Sequence, residues 1–319
     1  MSDFVLYSYQ CNPIHVEIDP KEPSTFSTEY IEEENRRADE NMARHQDLFQ
    51  EFFDTEEDCT HKHNGNVYLL YRGNYYEAKI LMSQGGIIML RLQREKLHKY
   101  ESNYKILTQK EQPSSMIIID NRFEQQRIII ERKKDAFPPS IIAKMLESNI
   151  GAWMTKKYRV GLRVPLIYRK DQFWSVVEEY KNCIKKLVFD FPYPNMARPM
   201  DKLGKSLKQF GVDLKGKVRV TTCSQPGDFL IIDPKDKNAD LDEIVSYLFE
   251  VGSPVDVYLV SGRRVKCFSK DNPIVVPVPE KIAEFRGQKE DNLFPDGFFE
   301  RVAEMLNGLR GINFTQEYA

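Results

Sequence analysis

Two isoleucine-rich stretches dominate the pattern of the sequence, Met116-Ile-Ile-Ile-Asp120 and Arg127-Ile-Ile-Ile-Glu131. Successive side chains of a strand point to opposite faces, so three consecutive isoleucines make both faces of each strand apolar. A strand that is apolar on both faces is covered on both sides. We therefore predict an antiparallel hairpin that lies in the middle of a sheet or beneath a helix.

The segments around this hairpin extend the sheet. Turn-forming residues at 72–74 and 85–86 separate three further apolar stretches, 67–71, 75–82 and 87–92, which we predict to be strands. Pro138-Pro139-Ser140 begins a helical pattern that can cover them, and an amphipathic helix is expected from about Ile31 to Phe53. The prediction for residues 1–156 is a domain with an acidic helix and an N-terminal antiparallel β-meander with covering helices.

Residues 157–319 alternate between strand and helix patterns. We predict strands at 158–168, 187–191, 217–222, 229–232, 256–260 and 264–268, and helices at 171–186, 201–210, 241–250 and 295–306. The order of the central elements is that of a C-terminal ferredoxin-like α/β sandwich, in which helices cover one face of the sheet and leave the other face open. The predicted fold class is α+β.

Charge is unevenly distributed along the chain. The first 58 residues contain 16 Asp/Glu and 4 Lys/Arg, whereas residues 59–319 contain 32 and 42. The total of −2 therefore combines an acidic segment with a basic body, and a basic body indicates an anionic partner. No apolar stretch is long enough to span a bilayer and no signal-peptide pattern is present, so we expect a cytoplasmic protein.

Strand alternation predicts that basic side chains share the open face of the second domain. The predicted nucleic-acid-binding residues are Arg159, Arg163, Arg169, Lys205, Lys208, Lys217, Arg219, Arg264 and Lys266. Like charges on adjacent strands repel, and an anionic ligand such as a phosphate backbone removes that repulsion. The alternative is an ordinary mixed-charge surface to which loops supply the acids.

One enzymatic alternative concerns a metal-dependent nuclease. Asp120, Glu131 and Lys133 have the spacing of nuclease motifs in which two carboxylates hold Mg²⁺ and a lysine polarises water. However, Asp120 and Glu131 each end their strand, and the ends of consecutive antiparallel strands lie at opposite edges of the hairpin. We therefore predict no catalytic residues.

Cysteine and histidine residues could form only a small metal site. Cys59, His61 and His63 can point to one side of a strand, but no second cluster of ligands completes a zinc site. The five cysteines are scattered singly, which indicates reduced thiols, several of them buried, and not disulfides. We predict no metal and no cofactor.

The order of elements resembles a known family. The run Tyr158-Arg-Val-Gly-Leu-Arg-Val-Pro-Leu-Ile-Tyr-Arg-Lys-Asp171, followed by a helix and Lys185-Lys-Leu-Val-Phe-Asp-Phe-Pro192, is similar to a strand and helix of RexA-like phage-exclusion proteins. The layout also resembles Kiwa-type prophage defence proteins. The resemblance covers about residues 65–270 and implies a dimeric, cytoplasmic DNA-binding protein of phage defence. It supplies no catalytic residues, and the acidic N-terminal helix departs from it.

Together these patterns predict a non-enzymatic protein that binds the backbone of nucleic acid, with double-stranded DNA as the expected partner. A homodimer and a downstream effector protein are further expected partners. The acidic segment is expected either to dock on the basic residues or to form the dimer contact. A protein-binding adaptor, whose basic surface meets an acidic partner, is the third alternative.

Overall fold

The structure is a computed structural model of the chain. It describes the residues 2–16, 27–54, 62–63, 65–102, 105–123, 125–169, 171–191, 218–234, 239–250, 252–253, 255–267, 273–286 and 295–309. These residues form a mixed α+β protein with several antiparallel sheets and, in the described ranges, seven helices.

The elements are numbered along the chain. The strands are β1 (Ser2–Ser8), β2 (Gln10–Pro13), β3 (Lys62–His63), β4 (Asn66–Tyr71), β5 (Asn74–Gln84), β6 (Ile87–Gln93), β7 (Lys96–Ser102), β8 (Lys105–Glu111), β9 (Ser114–Asp120), β10 (Arg127–Glu131), β11 (Val160–Arg163), β12 (Ile184–Phe191), β13 (Val218–Cys223), β14 (Val255–Leu259), β15 (Arg264–Lys266) and β16 (Val275–Val278). The helices are α1 (Thr28–Ala43), α2 (His45–Asp54), α3 (Pro139–Tyr158), α4 (Asp171–Glu179), α5 (Ala239–Glu250), α6 (Glu280–Ala283) and α7 (Phe298–Gly308). None of these helices is both long and apolar enough to cross a bilayer.

The chain divides into two compact units. The first comprises Met1–Val5, Pro13–Val164 and Val275–Leu306, and the second comprises Leu6–Asn12, Pro165–Ile274 and Asn307–Ala319. The predicted division after residue 156 falls inside α3.

The first unit contains an eight-stranded sheet with the order β16-β1-β10-β9-β6-β5-β4-β3. The neighbours β3/β4, β4/β5, β5/β6, β6/β9 and β9/β10 are antiparallel. β7 and β8 form a separate antiparallel hairpin between β6 and β9 in the chain. The five strands predicted between residues 67 and 132 are therefore confirmed.

The isoleucine triplets lie at the centre of this sheet. β9 and β10 pair so that Ile117 faces Ile130 and Ile119 faces Ile128. All six isoleucines have no exposed surface, as the continuous apolar pattern predicted. α3 begins with Pro139 at its first turn, as expected, and packs near β4 and β10.

The acidic N-terminal region forms two helices where one was predicted. α1 ends before Arg44, whose backbone N–H donates to the carbonyls of Asn41 and Met42, and α2 begins at His45. Leu48, Phe49, Phe52 and Phe53 of α2 are buried. The apolar side of the predicted amphipathic helix is largely buried, as expected, and the break at Arg44 divides it between α1 and α2.

A side chain from α3 occupies part of the outer edge of β4. Asn149 Oδ1 accepts the backbone N–H of Leu70 at 2.8 Å, and Asn149 Nδ2 donates to the Leu70 carbonyl at 3.0 Å. Among the described residues, β3 pairs with Asn66 and Val67, and the amide of Asn149 satisfies both backbone groups of Leu70.

Arg91 is the less exposed of two buried arginines in the described part of the first unit. Arg91 on β6 is 4% exposed and donates from Nε to the carbonyl of Phe285 at 2.8 Å and from Nη2 to the carbonyl of Ala283. Its Nη1 lies 3.8 Å from Glu131 Oε2. Burial, reinforced by the nearby charge of Arg286, lowers the pKa of Arg91 to about 10, which leaves it charged at neutral pH.

The second unit contains a four-stranded sheet with the order β13-β12-β14-β15. Each neighbouring pair is antiparallel. One face packs on α4 and α5 through a core that includes Phe173, Trp174, Leu187, Phe189, Val245, Leu248, Val255 and Val257. The opposite face carries mostly exposed and half-buried polar side chains.

The predicted ferredoxin-like arrangement of this sheet is not confirmed. The stretch 158–168 was expected to be one of its strands, but Tyr158 ends α3 and Val160–Arg163 belongs to the first unit. The strand predicted at 229–232 is wrong, because these residues have no strand pairing and Ile231 is 91% exposed. The helix predicted at 201–210 lies outside the described residues.

Gly252 ends α5 in a geometry that requires glycine. The N–H of Ser253 donates to the carbonyl of Leu248 and the N–H of Gly252 donates to that of Phe249, the pattern of a Schellman motif. Gly252 has a φ of +66°, and a Cβ atom there would lie 2.6 Å from Pro165 Cβ and 2.8 Å from the Leu166 carbonyl oxygen. The end of α5 thus packs directly against the segment 165–166.

A half-buried histidine, His45, links α2 to the turn between β9 and β10. His45 Nδ1 lies 2.9 Å from the Met42 carbonyl oxygen, which requires a proton on Nδ1. Nε2 of the neutral ring then accepts from the side-chain amide of Gln126 at 2.7 Å. Burial lowers the pKa of His45, although the Met42 carbonyl and Asp47 oppose the shift.

This contact predicts an acid-dependent loss of stability. Because the folded-state pKa of His45 lies below its ordinary value of 6.5, the unfolded chain binds more protons in the interval between them. The contribution of neutral His45 to the unfolding free energy is therefore fully present above pH 6.5. It decreases as the pH falls towards the folded-state pKa, by at most about 1.4 kcal/mol per pH unit.

Urea unfolding at a series of pH values would measure the effect. In the His45→Gln variant, which cannot titrate at this position, we expect a smaller loss of stability between neutral and mildly acidic pH. Identical pH dependence in the two proteins would contradict the assignment.

Candidate nucleic-acid interface

The solvent-facing side of the four-stranded sheet, called the open face below, is defined by strand register. Lys186 on β12 is opposite Cys223 on β13 and Tyr258 on β14, and Tyr258 is opposite Arg264 on β15. Adding the alternate positions along each strand gives the whole face. Its residues are Lys186, Val188, Asp190, Arg219, Thr221, Cys223, Asp256, Tyr258, Arg264 and Lys266.

Three of the predicted basic residues meet on this surface. Arg219, Arg264 and Lys266 are all exposed and come from the two outer strands, β13 and β15. Lys186 adds a fourth cation from β12. With Asp190 and Asp256 as the acids of the face, the cations outnumber them by four to two.

Both arginines of the open face are held by strand carboxylates. Arg219 Nε donates to Asp190 Oδ1 at 2.5 Å and Nη2 donates to Oδ2 at 3.0 Å. Arg264 Nη2 donates to Asp256 Oδ2 at 2.5 Å. The arginine side chains are thus oriented but still exposed, with 67% and 48% of their surfaces accessible.

The pKa values show that these pairs are electrostatically linked. The hydrogen bond to Asp190 raises the pKa of Arg219, and Tyr258 and Asp256 raise it further. The hydrogen bond to Asp256 raises the pKa of Arg264, with additional contributions from Tyr258 and Asp190. The charge of each pair therefore affects the arginine of the other pair, and Tyr258 is the direct cross-strand neighbour of Arg264.

The two lysines of the face are placed differently. Lys186 Nζ lies 4.0 Å from the centre of the Tyr258 ring, a cation–π contact. Within the described part of the chain, neither Lys186 nor Lys266 is paired with a carboxylate. These two ammonium groups carry the excess positive charge of the open face.

Arg159, Arg163 and Arg169 are not on the strands of the open face. Arg159 and Arg163 belong to the first unit, where Arg159 Nε donates to Glu34 Oε2 at 2.8 Å and Arg163 is exposed at the end of β11. Arg159 is not a strand residue as predicted, because it follows α3 with a φ of +56°. Arg169 is paired with the nearby Asp171 at 2.6 Å. Lys205, Lys208 and Lys217 lie outside the described residues.

The acidic segment binds basic residues of its own unit. Besides the pair of Glu34 and Arg159, Glu51 Oε1 accepts from Lys157 Nζ at 2.8 Å and from the Tyr158 hydroxyl at 2.5 Å. Burial is the largest single effect on the pKa of Glu51 and raises it. The hydrogen bonds from Lys157 and Tyr158, together with the charges of Lys157 and Arg44, outweigh burial, so the pKa is lowered. α1 and α2 thus neutralise the basic end of α3.

The geometry of the nuclease candidate is unfavourable, as the hairpin register predicted. Asp120 pairs with Arg127, whereas Ile117 pairs with Ile130, so Asp120 and Glu131 end opposite sides of the hairpin. Asp120 is held by two hydrogen bonds from Arg122, each 2.7 Å long. Glu131 Oε2 accepts the N–H of Met116 at 2.8 Å. Both carboxylates have structural partners.

Among the described residues, no group of three or more His, Cys, Asp or Glu side chains is arranged to hold a metal ion. Cys59 and His61 of the alternative zinc motif lie outside these residues. Burial raises the pKa of Cys11 and raises that of Cys267 to about 12, so both are protonated thiols at neutral pH, while Cys183 and Cys223 are exposed.

Comparison with known proteins adds no assignment, since no family model and no curated protein matches the chain.

Tyr258 and Lys186 are among the open-face residues that the sequence analysis did not identify. Tyr258 was in a predicted strand, and its position between Val257 and Leu259 already indicates the face opposite the core. Lys186 was assigned to the end of a helix predicted to reach that residue. α4 instead ends at Glu179, and β12 begins at Ile184.

Proposed function

We propose that the open face binds the phosphate backbone of nucleic acid, with DNA as the expected ligand, and that the protein catalyses no reaction. The observation that carries the proposal is the convergence of Lys186, Arg219, Arg264 and Lys266 on one accessible surface, where the described strands contribute two carboxylates. Phosphates can contact the two lysines directly and the outward N–H groups of the two oriented arginines.

The resemblance to RexA-like and Kiwa-type proteins supplies the biological part of the proposal. A nucleic-acid-binding component of phage defence that acts in the cytoplasm as a homodimer, and signals to an effector protein, would need a binding surface without a catalytic centre. The finer architecture, an N-terminal meander and a ferredoxin-like sandwich, stays part of the proposal and rests on the order of strand and helix patterns in the sequence.

Replacing the two lysines tests the backbone-directed character of the site. In the variant Lys186→Gln/Lys266→Gln we expect weaker binding to DNA and a smaller dependence of affinity on salt. Each lost phosphate contact lowers the slope of log K against log salt by about 0.7 for a single strand and about 0.9 for a duplex. The measurement is fluorescence anisotropy of labelled DNA and RNA over a salt series.

Lys144→Gln/Lys281→Gln is a matched control, because both lysines are exposed in the first unit and the change in net charge is the same. The two variants should differ clearly in affinity and slope. Equal effects would contradict binding at the open face. Failure of the wild-type protein to bind DNA or RNA even at low salt would overturn the proposal and favour the protein-binding adaptor.

A further inference from the structure

The open face has an aromatic side chain among its cations. Tyr258 lies on β14, one of the two inner strands of the sheet, and is only partly exposed. Lys186 contacts its ring, and Arg264 is opposite Tyr258 on the neighbouring strand β15. The ring therefore lies between two groups that can bind phosphate.

On the side of Lys186 away from Tyr258, the side chains are small. Cys223 is opposite Lys186, and Thr221 is opposite Val188 in the next row of the face. Cys223 and Thr221 are exposed, while Val188 is buried. Cys223 and Thr221 therefore add little bulk to the open face beside Lys186.

The dimensions of the face do not suit insertion into a DNA groove. Neighbouring strands lie about 4.8 Å apart, so four strands are about 14 Å wide between the outer strand axes and wider with their side chains. The major groove of B-DNA is about 12 Å wide and admits a helix or a two-stranded ribbon. A duplex could touch this face only with its phosphates, and the Tyr258 ring would then have no base to stack on.

A single strand can use the aromatic ring and the cations together. Its unpaired bases expose flat surfaces that stack on aromatic side chains, while its phosphates follow neighbouring basic residues. We propose that the open face prefers single-stranded nucleic acid to duplex DNA, with Tyr258 as the platform on which one base stacks. This inference rests on the proposed function and names the form of its ligand.

Binding requires Lys186 to move. Its ammonium group now occupies a face of the Tyr258 ring, where a base would stack. The lysine side chain is long and flexible, and an incoming strand brings a phosphate as a stronger partner for its charge than the ring. The base then takes the position of the ammonium group on the ring.

Anisotropy titrations with a short labelled single strand, and with the same strand annealed to its complement, test the preference. We expect the wild-type protein to bind the single strand more tightly. Tyr258→Ala should weaken single-strand binding by about tenfold, the effect of losing one stacked base, and should leave duplex binding nearly unchanged. Tyr258→Phe, which keeps the ring, should lose much less than Tyr258→Ala.

Tyr75→Ala is the matched control, because Tyr75 is 62% exposed and lies on β5 of the first unit. It should bind both forms as the wild type does, and thermal unfolding should show that each variant is folded. Tighter duplex binding, or equal losses for both forms in Tyr258→Ala, would overturn the single-strand preference while leaving nucleic-acid binding intact. No binding of either form would instead remove the proposed function itself.

Discussion

Replacement of Gly252 by alanine is expected to destabilise the second unit by about 2–4 kcal/mol. Two costs add. The residue has a φ of +66°, a region that disfavours any residue with a Cβ atom. The new Cβ would also lie 2.6 Å from Pro165 Cβ and 2.8 Å from the Leu166 carbonyl oxygen, so the end of α5 or the segment 165–166 must shift.

Gly262→Ala separates these two costs. Gly262 belongs to the same unit and has a φ of +81°, but an added Cβ would meet no atom within 4 Å. We expect a loss of only about 1 kcal/mol there, from the backbone conformation alone. Chemical unfolding of the three proteins measures the difference, and equal losses in the two variants would show that the contact with Pro165 and Leu166 is not tight.

Replacement of Arg91 by methionine should have the largest effect in the first unit. Methionine keeps much of the aliphatic volume, but it cannot donate to the carbonyls of Ala283 and Phe285. It also leaves the carboxylate of Glu131 buried without its cation. Removing one partner of a buried ion pair costs about 3–5 kcal/mol, which we expect as the decrease in unfolding free energy.

Arg286→Met provides the comparison for Arg91. Arg286 is exposed, and its hydrogen bonds to the same two carbonyls are long, 3.4 and 3.5 Å. Its removal should cost about 0.5 kcal/mol or less, as is usual for surface positions. The double variant Arg91→Met/Glu131→Gln should recover part of the loss. An Arg91→Met protein as stable as Arg286→Met would contradict the structural role given to Arg91.

Much of the first unit could be predicted because its pattern is local. The isoleucine triplets have two apolar faces, and glycines punctuate the strands before them, so strand positions and burial follow from alternation alone. The break between α1 and α2 at Arg44 could not be seen in this way. The apolar spacing continues across it, and only the turn geometry separates the two helices.

The second unit was harder to predict because its strands are defined by pairing. The stretch 158–168 alternates like a strand, yet the helical pattern from Pro139 continues to Tyr158 and leaves only four residues for β11. On the open face, alternation correctly placed Arg219, Arg264 and Lys266. It could not show that Asp190 and Asp256 would hold the arginines, since that depends on which strands become neighbours.

The two hydrogen bonds between Asn149 and the backbone of Leu70 also bear on how copies of the protein avoid aggregating. An unpaired strand edge offers its backbone groups to any other chain that can add a strand, and this is a common route to insoluble assemblies. A single amide fixed on α3 occupies both groups of Leu70, where β3 no longer covers β4. The protein thereby closes this position to strand exchange without lengthening its sheet.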